Sequence, residues 1–154
     1  MGVANAAPTT ALDVTVEAAV LDLIAELQKK YNTAAMYISH NLGVVARVSD
    51  KVAVMYAGEI VETADVASLF AAPSHPYTNG LLACLPIPGK TPPGAPLGVI
   101  PGMVPRIAAS FTGCAFRERC GHALPRCAVE VPPMMAASPG SGAACWLLAR
   151  EETA

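Results

Sequence analysis

The first half of the chain alternates between helical and extended patterns of apolar residues. From Asp13 to Tyr31, apolar side chains recur at helical spacing and charged side chains occupy the opposite face. The apolar positions are Val16, Val20, Leu23, Ile24 and Leu27. This pattern predicts an amphipathic helix that buries one face. The apolar run from Ala34 to Ile38 predicts a short buried strand after it.

Further elements follow at short intervals. Leu42–Ser49 has the pattern of a second helix, and Lys51–Tyr56 and Glu59–Glu62 are typical of two strands joined by a tight turn at Ala57-Gly58. Asp65–Ala72 predicts a third helix. A fourth is expected from His75-Pro76 to about Leu85, since proline suits the first turn of a helix. This order of helices and strands predicts an α/β layered fold.

Composition then divides the chain. Proline and glycine dominate residues 86–105, which predicts an extended linker, and residues 106–148 form a cysteine-rich region after it. A net charge of −2 gives no electrostatic case for binding nucleic acid. We find no apolar run long enough for a bilayer and no secretory signal, which makes the cytoplasm the expected compartment. There, cysteines indicate metal sites or reactive thiols before disulfides.

Ser39-His40-Asn41 stands where the predicted strand 34–38 ends. Polar residues at the end of a strand are a common location for ligand contacts in α/β proteins. A lone histidine in such a place is nevertheless more often a hydrogen-bonded cap than a functional group. The neighbouring motifs decide between the two interpretations.

Pro8-Thr9-Thr10-Ala11-Leu12-Asp13 stands one helix and one strand before His40. In this pairing the sequence resembles the ATP-binding subunits of ABC transporters, most closely those of the oligopeptide, dipeptide and nickel importers. The resemblance implies the C-terminal portion of a P-loop (RecA-like) nucleotide-binding domain that uses ATP with Mg²⁺. It also implies that Asp13 belongs to the D-loop at the dimer interface and that His40 is the switch histidine that contacts the γ-phosphate.

The sequence departs from this family before Pro8. Ala6 and Ala7 occupy the positions where the family has the magnesium-binding Asp and the Glu that activates water. The chain has no G-x-x-x-x-G-K-[ST] phosphate loop, no glutamine loop and no Ser-Gly-Gly-Gln signature. We therefore expect this chain to be, in functional terms, a fragment that does not hydrolyse ATP alone.

His75-Pro76-Tyr77-Thr78 is a second point of resemblance, because the C-terminal extension of peptide-importer ATPases opens with these residues. Physically it predicts a capped helix start whose tyrosine packs back on the domain. We expect a structural role for His75 and treat metal ligation as the minor alternative. The resemblance divides the chain into an ATPase part, residues 1–72, and the extension, residues 73–154.

Four cysteines, Cys114, Cys120, Cys127 and Cys145, follow the pattern C-x5-C-x6-C-x17-C. This spacing matches neither paired C-x2-C zinc knuckles nor the bacterial ferredoxin run, so it predicts a metal site of open identity. Arginines close to the cysteines would offset the charge of four thiolates. His122 is an alternative ligand. Cys84 lies on the apolar face of the predicted fourth helix and is expected in the core.

The resemblance narrows the choice of metal, because some members of the subgroup hold a [4Fe-4S] cluster at such a pattern. Zinc is the alternative, since four thiolates also suit it, and disulfides would need oxidising surroundings. The region after Pro105 has few large apolar residues. We therefore expect a small cysteine-rich extension that is stapled by its metal.

The function implied by the resemblance is coupling of ATP hydrolysis to the uptake of peptides or nickel. The implied partners are a sister ATPase subunit, transmembrane permease subunits and, indirectly, a substrate-binding protein. The implied location is the cytoplasmic face of the inner (plasma) membrane. Two other interpretations are a non-catalytic iron-sulfur or zinc accessory module and a non-functional remnant of a truncated gene.

Overall fold

The computed structural model describes residues 4–6, 14–86, 97–105 and 112–149. The chain forms two compact units, residues 1–50 and residues 51–154. The boundary expected at residue 72 was placed by the resemblance to the family's sequence and not by contacts within the fold. It stays a prediction. No helix in the described ranges is both long enough and apolar enough to span a bilayer.

The first unit contains a parallel pair of strands and two helices. Strand β1 (Ala4–Ala6) pairs with β2 (Ala35–Tyr37), and α1 (Val14–Tyr31) connects them. Helix α2 (Leu42–Val48) follows. Both helices and the strand that the apolar pattern predicted are present, but β2 is not the buried strand expected, since Met36 is 55% exposed. Strand β1 was not predicted, because its sequence Ala-Asn-Ala has none of the branched or aromatic residues typical of strands.

Helix α1 does not bury the face that its pattern predicted. Val16, Leu23 and Leu27 expose 48%, 56% and 43% of their surfaces. The apolar side chains that are buried among the described residues of this unit are Leu21 and Val45. The expectation of a buried apolar stripe is therefore wrong for most of its members, since few described apolar groups in this unit cover them.

The second unit is built on a four-stranded antiparallel sheet. The predicted hairpin is confirmed as β3 (Lys51–Tyr56) and β4 (Glu59–Asp65). Strands β5 (Met135–Ser138) and β6 (Ser141–Ala143), which the pattern did not predict, extend it in the order β3-β4-β6-β5. The cysteine-rich region therefore shares a sheet with the hairpin.

An aromatic core joins this sheet to the helices α3 (Val66–Ala71) and α4 (Pro76–Ala83). Leu69 is fully buried, and Tyr56 and Phe116 are 2% and 3% exposed. The ring of Tyr56 lies 4.6 Å from that of Tyr77 and meets Phe116 edge-on at 5.2 Å, distances typical of stabilising aromatic pairs. Three distant parts of the sequence thus meet in one core.

Residues 97–105 contain no helix or strand, in keeping with their proline and glycine content. They are nevertheless anchored to the second unit. The N–H of Gly98 donates to the carbonyl of Ala83 at 2.9 Å, and Ile100 packs against the core. The guanidinium of Arg119 donates to the carbonyls of Ile100 and Pro101 at 3.0 and 2.7 Å. The described part of the predicted linker is therefore fixed by specific contacts.

Candidate functional site

His40 is exposed in the turn that follows β2. The turn is held by its neighbours: the N–H of Asn41 donates to the Oγ of Ser39 at 3.0 Å, and the Oδ1 of Asn41 accepts from the N–H of Gly43 at 3.0 Å. Asn41 thus caps α2, which leaves the imidazole of His40 free to face solvent. The location suits contact with a ligand, while Asp13 lies outside the described residues.

All four of the predicted metal-ligating cysteines line one small cavity in the second unit. Cys114, Cys120 and Cys127 are half-buried and Cys145 is buried, and all five cysteines of the chain are free thiols. His75, Phe116 and Trp146 complete much of the apolar wall. We call this the cysteine cavity. Residues that span 32 positions of the sequence, from 114 to 145, are therefore brought together by the fold.

Gly113 permits the close backbone approach that forms the cavity. The N–H of Cys114 donates to the carbonyl of Cys127 at 2.8 Å. Gly113 has φ +78, and a Cβ at this position would lie 2.3 Å from the carbonyl oxygen of Cys127. Any side chain here would clash with backbone and would also be strained at a positive φ.

Two of the thiols are held in the neutral form. Burial raises the pKa of Cys114 and of Cys145, and Cys120 and Cys127 add to the effect in both cases, while hydrogen bonds to backbone groups oppose it. For Cys114 the largest thiol influence on its pKa comes from Cys127, and for Cys145 it comes from Cys120. Thiols gathered at one cavity are a donor set that a cation would convert to thiolates, because the metal's charge replaces the protons.

Trp146 closes one side of the cavity under a stacked arginine. The guanidinium carbon of Arg126 lies 3.6 Å from the centre of the indole ring, and its Nε pairs with a carboxylate oxygen of Glu130 at 2.8 Å. The indole N–H of Trp146 donates to the carbonyl of Glu130 at 3.1 Å. These three residues fix one another, so the wall of the cavity is pre-organised.

His75 and Glu62 form a buried polar pair beside the same cavity, each only 1% exposed. The carboxylate of Glu62 accepts from the N–H groups of Ser74 and His75 at 2.6 and 3.0 Å. The Nδ1 of His75 accepts from the N–H of Tyr77 at 3.0 Å and so caps α4. Burial lowers the pKa of His75, although Glu62 and a hydrogen bond to the Ala144 backbone oppose the shift. Both side chains hold the start of α4, which agrees with the structural role expected for His75.

Within the described ranges, no group of three or more His, Cys, Asp or Glu side chains is arranged to hold a metal ion. His122 lines the cysteine cavity but is exposed, and Cys84 is half-buried at the end of α4, outside the cavity lining. The four thiols predicted as metal ligands line one cavity, and the binding of a metal by them is a proposal. The sequence pattern gave no indication of Glu62, because an isolated carboxylate in a strand carries no signal of burial.

A family model and several known proteins each match part of the chain, and the matched parts overlap. Residues 61–127 match the family model of the oligopeptide/dipeptide transporter C-terminal region. Over 139 residues the chain is 47% identical to a probable peptide ABC transporter ATP-binding protein of Sinorhizobium fredii, covering 90% of this chain and 41% of that protein.

Two further relatives give the same result. An oligopeptide transport ATP-binding protein of Salmonella typhimurium is 45% identical over 90% of this chain and 41% of its own length. One of Bacillus subtilis is 43% identical over 94% of this chain and 43% of its own length. The chain thus spans about two fifths of the length of these curated relatives. It is similar to the ATP-binding subunits of oligopeptide and dipeptide ABC transporters, and its residues 61–127 to the C-terminal region of that family, the resemblance that the sequence motifs had indicated.

Proposed function

We propose that this chain contributes the C-terminal part of an ATP-binding subunit in a peptide ABC importer. The observation that carries the proposal is the 45% identity to an oligopeptide transport ATP-binding protein over 90% of the chain. The proposed partners are a sister ATPase subunit and the permease subunits, with a substrate-binding protein acting indirectly. The proposed location is peripheral, on the cytoplasmic face of the inner membrane, and peptides rather than nickel are the proposed cargo, because the relatives' names specify peptides.

His40 is the proposed γ-phosphate contact, supported by its exposure at the end of β2. An imidazole there can donate a hydrogen bond to a phosphate oxygen and help to orient the attacking water. Asp13 is the proposed D-loop residue at the interface with the sister subunit. Because the sequence has no phosphate loop, the cradle for ATP and Mg²⁺ must come from another polypeptide segment.

The test is co-expression of the chain with the permease and sister ATPase subunits of a peptide importer. We expect the tagged chain to retain the permease subunits during purification and to release no phosphate from ATP when purified alone. Loss of co-purification would contradict the assignment to an importer. Phosphate release by the isolated chain, absent in a His40→Ala variant, would contradict the need for a second segment.

We further propose that Cys114, Cys120, Cys127 and Cys145 hold a [4Fe-4S] cluster. Four thiols that line one cavity are the donor set that such a cluster requires, and the guanidinium of Arg117 at the same cavity can offset thiolate charge. A single zinc ion needs all its sulfurs within about 2.3 Å of one point. Four thiols also suit zinc, which the reconstitution test distinguishes from the cluster.

Anaerobic reconstitution with iron and sulfide tests the cluster. We expect iron and acid-labile sulfide in equal amounts, a brown colour, and quenching of the fluorescence of Trp146, which is the chain's single tryptophan and lines the cavity. Cys114→Ser should lose all three signals, and Cys84→Ser is the matched control because Cys84 lies outside the cavity lining. Stoichiometric zinc in freshly purified protein, with no uptake of iron, would exclude the cluster.

A further inference from the structure

Two of the four cysteines of the cysteine cavity are joined by a backbone contact that metal binding alone does not require. The backbones of Cys114 and Cys127 are joined directly by the 2.8 Å N–H···O contact, and Gly113 allows the two segments to touch. Covalent geometry then limits the separation of their Cα atoms to about 6.7 Å. Disulfides form when Cα atoms lie about 4.4–6.8 Å apart. The Cα separation of Cys114 and Cys127 therefore does not exceed the range that a disulfide spans.

Other contacts hold the same two segments together. The guanidinium of Arg117 donates to the carbonyls of Thr112 and Ala128, the residues that flank this pair on either segment. The N–H of Leu124 donates to the Sγ of Cys127 at 3.4 Å and keeps that sulfur in place. The approach of the two cysteines is thus fixed by the surrounding backbone and does not depend on a metal.

Cys120 and Cys145 are the remaining thiols of the cavity. They are the two thiols left at the cavity lining once Cys114 and Cys127 are bridged, so each has the other as its partner. Cys145 is only 8% exposed, whereas Cys114, Cys120 and Cys127 are half-buried. A reagent from solution therefore reaches the first pair more easily than it reaches Cys145.

We propose that, when the site holds no metal, a low-molecular-weight disulfide oxidises the cavity to two disulfides, Cys114–Cys127 first and Cys120–Cys145 second. In the first step the thiolate of Cys127 attacks the reagent, its S–S bond breaks, and one small thiol leaves. The thiol of Cys114 then attacks the sulfur of Cys127, giving up its proton, and expels the second small thiol, which carries that proton. Two protein thiols are oxidised by two electrons, and their protons are carried by the two small thiols.

This inference concerns the same four cysteines as the proposed cluster, and oxidation and metal binding are alternative fates of one site. An oxidised cavity has no thiolate to give to iron or zinc, so exposure to the oxidant would block loading of the importer subunit with its metal. Reduction would restore the site. The cavity would thereby make metal loading depend on the thiol–disulfide balance around the protein.

The test maps the disulfides of the unsubstituted, metal-free chain after treatment with oxidised glutathione. Free thiols should fall from five to three and then to one, which is Cys84. Digestion after arginine, lysine and glutamate places the four cavity cysteines in different peptides, since Arg117, Arg119, Arg126 and Glu130 separate them. We expect the 114–127 linkage to accumulate before the 120–145 linkage. Mapping the native sequence avoids any folding defect of a variant.

Three results would overturn the inference: a linkage between Cys114 and Cys120 or Cys145, a linkage to Cys84, or glutathione adducts in place of protein disulfides. A Cys120→Ser/Cys145→Ser double variant should still form the first disulfide, with Cys84→Ser as the control. Iron and sulfide uptake by the reduced chain is measured separately. Uptake without the expected disulfides would refute this inference alone, and the disulfides without uptake would refute the cluster alone.

Discussion

The two compact units differ most in what covers their apolar and charged side chains. In the first unit, α1 exposes about half of Val16 and Leu23, and its ion pair between Arg47 and Asp22 lies in solvent. In the second unit Leu69 is fully buried and the carboxylate of Glu62 is enclosed by backbone N–H groups. Burial sets the free energy that each group contributes. We therefore expect the second unit to account for most of the stability.

The largest expected effect is on Leu69. Leu69→Ala leaves a cavity in the core and should lower the free energy of unfolding by about 2–5 kcal/mol. Leu27→Ala in α1, where Leu27 is 43% exposed, should change it by about 0.5 kcal/mol or less. Denaturation followed by Trp146 fluorescence and by helical circular dichroism measures both. Equal losses would contradict the contrast between the units.

Glu62 should have the next largest effect. Glu62→Gln replaces one acceptor oxygen by an amide that cannot accept from its N–H partner, so a buried donor is left unpaired. A loss of about 1–3 kcal/mol is expected. The control is Glu59→Gln at the exposed start of the same strand. A loss in Glu59→Gln as large as that in Glu62→Gln would show that burial is not the cause.

Stability of the second unit should fall in mild acid because of His75. Its folded pKa is lowered, so the unfolded chain takes up a proton at higher pH than the folded chain does. The contribution is present above the usual histidine pKa of about 6.5 and is lost as pH falls through the folded value. His75→Asn keeps a side-chain cap for α4 without titrating in this range. Denaturation midpoints at pH 7.5 and 5.5 should therefore differ less in His75→Asn, and identical declines would contradict the assignment.

The smallest expected effect is on the carboxylate of the first unit. Asp22→Asn breaks the 2.7 Å contact with Arg47, but both side chains are about half exposed or more. The loss should be about 0.5 kcal/mol or less and should shrink with added salt. Thermal unfolding at low and high salt measures it. A loss that equals that of Glu62→Gln, or that is independent of salt, would contradict the comparison of the two carboxylates.

The fold was predictable where its signal is local. The periodicity of α1, the strand formers of β3 and the Ala57-Gly58 turn are each sufficient to predict their element from nearby residues alone. Strands β5 and β6 were not predictable, because Met-Ala-Ala-Ser and Ser-Gly-Ala have weak strand propensity. They become strands because the backbone of β6 pairs with β4 on one side and with β5 on the other. The exposure of α1 was equally unpredictable, since periodicity indicates an apolar face but not what covers it.

The candidate site shows the same division. Spacing singled out the four cysteines, and the structure places all of them at one cavity. The spacing could not show that Cys114 and Cys127 adjoin, because that contact depends on a close backbone approach between segments 13 residues apart. The motif also singled out His40, whose exposure agrees with the proposed contact but does not test it. Residue types were predictable, whereas their neighbours were set by tertiary packing.

The pairing of β4 with β6 also governs when the second unit can be completed. Thr63 pairs with Gly142, so β4 keeps an open edge on the ribosome until 79 further residues have been synthesised. At about 5–20 residues per second this takes roughly 4–16 s. During that time the edge of β4 can pair with other chains.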